Sequence, residues 1–163
     1  MEKFLYHATL EEYGRKILAF GPDLSLSRKG LDFGAGFYLG NNRGVALKYG
    51  ENMKRWHFNA KCMLLTYLFD KAGLDGVDFP STNIDWYNKV YGQRVLNEED
   101  DYDYISGPVA DSKMPQVFDD YREGRITDEE LMERLASWPN SFQLVIKTEK
   151  AKQNLSLVKW EVF

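Results

Sequence analysis

Apolar and polar positions alternate at the start of the chain. Phe4 and Tyr6 interleave with Leu5 and His7, and this two-residue period predicts a strand over residues 3–7. The period then changes. Thr9-Leu10-Glu11-Glu12 has the form of a capping box, with Thr9 as N-cap and Glu12 at the third helical position. It predicts a helix through Ile17 or Leu18 that stops before Gly21-Pro22. A polar loop, Asp23 to Lys29, leads into Asp32-Phe33-Gly34-Ala35-Gly36-Phe37-Tyr38-Leu39-Gly40. Within that stretch Phe37 and Leu39 alternate with Tyr38, so on a strand Tyr38 points away from both. Asn41-Asn42 then caps a helix whose apolar face is read as Val45, Ala46, Tyr49, Met53 and Trp56.

The second half is read in the same way. Cys62 to Phe69 is a buried strand, and Gly73 to Pro80 is turn chemistry. Ser81 or Thr82 caps a helix carrying Ile84, Trp86, Tyr87, Val90 and Tyr91. Asn97 to Asp101 reads as a solvated acidic loop rather than a metal site. Tyr102 to Asp111 is a strand broken at Gly107-Pro108, and Val117 to Tyr121 a short helix. Thr127-Asp128-Glu129-Glu130 is a second capping box, for a helix with Leu131, Leu135 and Trp138 on its face. Strands over Ser141–Thr148 and Leu155–Phe163 complete the chain. Strands and helices interleave without a regular βαβ rhythm, which predicts an α+β fold in one domain spanning residues 1–163.

Composition narrows the picture. With 163 residues, 44% of them hydrophobic, the chain is long and apolar enough for a core. It has no long apolar span and no signal-peptide pattern at its start. Cys62 is the only cysteine, so no intrachain disulfide can form, and a reducing cytoplasm is the expected compartment. One cysteine and two histidines speak against a Cys/His zinc site. A net charge of −4 disfavours a globally basic nucleic-acid binder. Lys147, Lys150, Lys152 and Lys159 form either a basic rim or a solvated face.

No nucleophile elbow or P-loop is present, and Gly34-Ala35-Gly36 leads into a strand-like run, which excludes a Rossmann fingerprint. Two features carry candidate chemistry. His7 ends the first strand, and Tyr38 stands beside glycines that let a ligand approach the main chain. Alone, each also fits ordinary packing: a structural histidine, a hairpin with a half-buried tyrosine.

Taken together, Tyr6-His7-Ala8-Thr9, then Asp32 to Leu39, then Ala46 and Tyr49 on a helix, resemble the diphtheria-toxin-like ADP-ribosyltransferases and poly(ADP-ribose) polymerases. Closer still is the resemblance to a bacterial family of small ADP-ribosyltransferase-like proteins. It rests on Tyr6-His7, Asp32 to Tyr38, Asp103 to Asp111 and Gln143 to Ala151. It runs nearly the whole length, on short motifs in a specific order. It implies two split antiparallel sheets around an NAD-binding cleft, with helical insertions. By the resemblance His7 bonds the adenosine ribose, and the main chain near Ala8 and Thr9 holds the nicotinamide amide. Gly34 and Gly36 admit the ligand, Tyr38 stacks on the nicotinamide, and Tyr49 supports it. The implied reaction is mono-ADP-ribosyl transfer from NAD, with no metal and no membrane, to an acceptor that is a protein or a nucleic acid. By family analogy the chain is a toxin or modifier with a possible antitoxin protein as partner.

One departure matters. The family's late-strand Glu corresponds here to Gln143, which is neutral. Hydrogen bonds to charged groups are worth about 1.5–3 kcal/mol against about 1 for neutral ones. At about 1.4 kcal/mol per tenfold, the loss is on the order of ten- to a hundredfold in rate unless another acid replaces it. Asp111 is the expected substitute and Asp103 the second choice; Asp111 fits a helix cap equally well. The alternative is a weak or inactive module that binds NAD or ADP-ribose. A third reading, NAD-dependent removal of an RNA 2′-phosphate, is disfavoured by two histidines and by the scatter of Arg15, Arg28 and Arg43.

Overall fold

A computed structural model describes residues 3–58, 60–110, 113–136 and 141–163. The elements, in order, are β1 (Leu5–Leu10), α1 (Glu11–Phe20), β2 (Phe37–Gly40), α2 (Arg43–Trp56), β3 (Cys62–Phe69), β4 (Gly76–Asp78), α3 (Ile84–Arg94), β5 (Tyr104–Pro108), α4 (Met114–Arg122), α5 (Asp128–Ala136), β6 (Phe142–Ile146), α6 (Glu149–Gln153) and β7 (Leu155–Val162). The strands form one sheet in the order β4-β5-β6-β2-β1-β3-β7, antiparallel except for the β4–β5 pair. This mixed architecture fits the α+β class. Among the described residues no helix is long and apolar enough to cross a membrane.

Two expected separate sheets are one sheet here, but its centre is thin. β1 and β2 meet at a single pair, Tyr6 opposite Gly40, whereas β1 pairs β3 along six residues. The two faces treat this crease differently. On one face a continuous core runs across it, joining Phe37, Leu39, Leu144 and Ile146 to Met63, Leu65 and Tyr67, with Ile17 and Leu18 of α1 packed on it. On the other face the core is divided. Helices α3 to α5 cover β5 and β6 through Trp86, Val90, Phe118, Leu131 and Leu135. Helix α2 covers β1 and β3 through Ala46 on Ala8 and Leu64. The crease is therefore roofed on one side and open between two packed bodies on the other.

Several local expectations change. Thr9 does not cap a helix: it pairs with Met63 inside β1, and Leu10 precedes α1 without a side-chain cap. Ladder hydrogen bonds to β3 outcompete the local cap. Asn42 caps α2, but Tyr49, Val45 and Trp56 are exposed. The packing face is Ala46 and Gly50 with Leu47 and Met53, because only small residues let the helix lie close to the sheet. Asn83, not Ser81 or Thr82, caps α3. The Gly73–Pro80 turn contains β4, held by parallel pairing to β5. The Thr127 capping box forms reciprocally: Glu130 N–H donates to Thr127 Oγ1 at 3.2 Å and Thr127 N–H to Glu130 Oε2 at 2.8 Å. Trp138 lies outside the described residues. Cys62 is fully buried under α2, its thiol donating to the Gly50 carbonyl at 3.3 Å.

Candidate active site

The register lines up one transverse row of residues across four strands: Tyr6 on β1, Gly40 on β2, Gln143 on β6 and Gly107 on β5. Residues paired across a sheet share a face, and this row lies on the open face of the crease. Strands are about 4.8 Å apart, so Tyr6 and Gln143 flank Gly40 across about 10 Å. A Cβ on Gly40 would meet nothing within 4 Å, so the floor between them is open.

Beyond the Tyr6–Gly40 pair the strands part. The His7 ring fills the gap, Nδ1–H donating to the Tyr38 carbonyl at 2.8 Å and the ring lying 4.3 Å from that of Phe37. Burial lowers the His7 pKa more than this hydrogen bond raises it, so the imidazole is neutral at pH 7 with Nε2 as acceptor. Thus His7, Tyr38 and Gln143 come together on neighbouring strands.

Tyr38 turns its hydroxyl back onto its own loop. The phenol donates to the Gly34 carbonyl at 2.6 Å and accepts from Phe33 N–H at 3.2 Å. Burial, first, and the nearby Asp32 raise its pKa well above the usual tyrosine value. The loop's own donors are also occupied: Gly36 N–H donates to Ser27 Oγ at 2.6 Å and Gly34 N–H to the Leu31 carbonyl at 3.1 Å. Both glycines are required by geometry. Gly34 sits at φ +76° with Gln93 against it, and a Cβ on Gly36 would overlap Val145 and lie 2.6 Å from the Ile146 carbonyl oxygen. The amides of the two glycines expected to admit a ligand are therefore already bonded within the protein.

Gln143 is half-buried, its Nε2 donating to Asp32 Oδ2 at 2.8 Å and facing the Pro108 carbonyl at 3.5 Å. Asp32 is 5% exposed and gathers further donors: Arg94 Nε at 2.6 Å and Ala110 N–H at 2.8 Å. Asp32 opens the Gly-rich stretch, and only that position hinted at its role; Arg94 gave no local signal.

Of the remaining expected residues, those described stand outside this cluster. Asp111 lies outside the described residues. Asp103 sits at the other end of β5, about 13 Å along the strand from Gly107 by rise per residue. It holds Thr148 Oγ1 at 2.7 Å, Asp75 N–H at 2.9 Å and Lys150 Nζ at 3.1 Å, and these bonds bring its pKa down to about 2. Ala8 is buried under α2, Thr9 lies in the β1–β3 ladder, and Tyr49 is exposed without ring contact to Tyr38. Lys147 is not part of a rim. Its Nζ is buried against the Phe33 carbonyl at 2.8 Å and Asp100 at 3.1 Å. Desolvation lowers the Lys147 pKa, and Asp100 opposes that shift. A cavity of about 280 Å³ opens beside Lys147, between the Gly-rich loop and Asn97 to Asp101. Its lining includes none of the Tyr6–Gly40–Gln143–Gly107 row. Among the described residues no His, Cys, Asp and Glu side chains cluster to hold a metal ion.

Residues 4–157 match a family model described as a protein of unknown function, DUF3990. No curated protein matches the chain.

Proposed function

The chain belongs to the DUF3990 family, and we propose that it is a mono-ADP-ribosyltransferase that cleaves NAD between nicotinamide and ribose, on an ADP-ribosyltransferase-like fold. One observation carries the reading. His7, Tyr38 and Gln143, from three motifs far apart in sequence, stand on the adjacent strands β1, β2 and β6: His7 bonds the Tyr38 carbonyl from the roofed side of the crease, and Gln143 pairs with Gly40 on the open side.

In the reaction the bond from ribose C1′ to the pyridinium nitrogen breaks, and its electron pair leaves with neutral nicotinamide. No general acid is needed. An acceptor oxygen or nitrogen then bonds C1′ and gives up its proton to solvent. The transition state has oxocarbenium character, as in glycoside cleavage. Positioning and dipoles near the ribose therefore do most of the work. Neutral His7 holds the Tyr38 carbonyl at the edge of the cleft, and the Gln143 amide oxygen supplies an acceptor for a ribose hydroxyl. Tyr6 and Tyr38 offer rings for the nicotinamide; such stacking is worth about 0.5–1.5 kcal/mol beyond buried area. The acceptor is a macromolecule in a reducing cytoplasm, and by analogy a toxin–antitoxin pairing fits a small chain of this kind.

A second reading, an NAD- or ADP-ribose-binding module without turnover, is favoured by one feature: the Tyr38 hydroxyl and the Gly36 amide are spent inside the protein. Nicotinamide release from NAD, measured with and without cell extract, separates the two. Transferase activity predicts release that His7→Ala and Tyr38→Ala abolish. A binding module predicts no release, with NAD raising the melting temperature. The absence of both release and stabilisation would reject NAD as ligand.

A further inference from the structure

We propose that Asp32 is the positioning residue of this cleft, fixing the Gln143 amide so that its carbonyl oxygen, not its NH2, faces a ligand hydroxyl. The inference rests on the NAD reading above.

An amide side chain has two orientations related by a flip, and usually nothing near it chooses strongly. Here something does. Asp32 Oδ2 stands 2.8 Å from Nε2, and a carboxylate can only accept. The second amide proton faces another acceptor, the Pro108 carbonyl. The flipped amide would set oxygen against oxygen in both places. Pro108 ends β5 and Asp32 is bonded to Ala110 N–H just beyond it, so both acceptors stand at that end of β5 and the Gln143 oxygen is turned away from them. Among the described residues that oxygen has no protein partner and no buried side-chain oxygen lacks one, so it reaches solvent. Asp32 itself cannot turn away. Arg94 holds its other oxygen through Nε at 2.6 Å, and the Ala110 N–H bonds Oδ2.

This arrangement changes what Gln143 means. It is not simply a glutamate that has lost its charge. A charge stands one hydrogen bond behind it, and the amide relays that charge as a polarised carbonyl oxygen. The ligand class that suits such an oxygen is a hydroxyl donor, the ribose hydroxyl of a nucleotide. Restoring glutamate at position 143 alone would set two carboxylates against each other, and one of them would have to take a proton.

The test is a polarity swap read by nicotinamide release. Asp32→Asn is expected to lower kcat about tenfold or more while KM changes little, since an asparagine can present either end to Gln143. Gln143→Glu alone is expected to be at least as impaired. The double variant Asp32→Asn with Gln143→Glu exchanges the two roles, so that the amide at position 32 donates to the carboxylate at position 143. It keeps the net charge and is expected to recover activity to within a few-fold of wild type or above it. If Asp32→Asn matches wild type within twofold, or the double variant is no better than Gln143→Glu, the positioning role is overturned. If the Asp32 variants fail to fold, NMR of the wild-type Gln143 side-chain amide decides. Slow exchange and restricted rotation of the NH2 support the proposal, and a freely rotating amide overturns it. Wild type that neither releases nicotinamide nor is stabilised by NAD would instead overturn the NAD reading, and with it the ligand assigned to the Gln143 oxygen.

Discussion

At the scale of single residues, hydrogen bonds to buried oxygens set most of what can be measured. The Tyr38 hydroxyl serves Phe33 N–H and the Gly34 carbonyl together. Tyr38→Phe should destabilise the protein by about 1–3 kcal/mol in urea titration, because both loop groups lose a partner. Amide exchange at Phe33 should quicken, and an unchanged rate would mean that water replaces the phenol. Asp103 gives a pH signature. Its pKa is about 2 in the folded protein, below the ordinary aspartate value of 3.8, so its stabilisation is complete above 3.8 and disappears as pH falls toward 2. The melting temperature of wild type should exceed that of Asp103→Asn at neutral pH, and the gap should close across that acid window. A constant gap would show that the carboxylate's charge is irrelevant. Sequence alone singled out His7, Tyr38 and Gln143, which the fold sets on adjacent strands, but gave no sign of the Asp32–Arg94 pair behind them. That pairing joins a loop to the end of a distant helix, and no local pattern encodes such a meeting.

At the scale of elements, legibility followed how far each element depends on its own residues. Strand β3 was readable to both ends, since a run from Cys62 to Phe69 buried on both faces has few other places to go. The Thr127 capping box was readable because both its partners lie within four residues. Strand β4 was not, because three residues become a strand only through β5. Helix α2 misled because large side chains dominate a periodicity count, while its contact with the sheet is made by Ala46 and Gly50. The junction of β2 with β6 depends on Gly36 in the same hidden way. Gly36→Ala puts a Cβ against Val145 and the Ile146 backbone, and should cost about 1–3 kcal/mol in denaturant titration. A neutral outcome would mean that the loop can shift at no cost.

At the scale of the molecule, the expected pair of separate sheets becomes one sheet with a weak middle: a single residue pair, one imidazole, and a core that is continuous on only one face. Sequence reading predicted strands around a cleft; it could not predict how many hydrogen bonds cross it. Helix α2 belongs to the body on one side of the crease, and Cys62 lies beneath it. The thiol is shielded from solvent, and burial raises its pKa, so alkylation requires α2 to lift from β3. Labelling of the native protein should be far slower than of the urea-unfolded chain, and rapid labelling without denaturant would contradict the packing. Since no other cysteine exists to confuse the signal, the chain carries its own stopwatch: the rate at which a thiol reagent consumes it counts how often one half of the molecule comes undone.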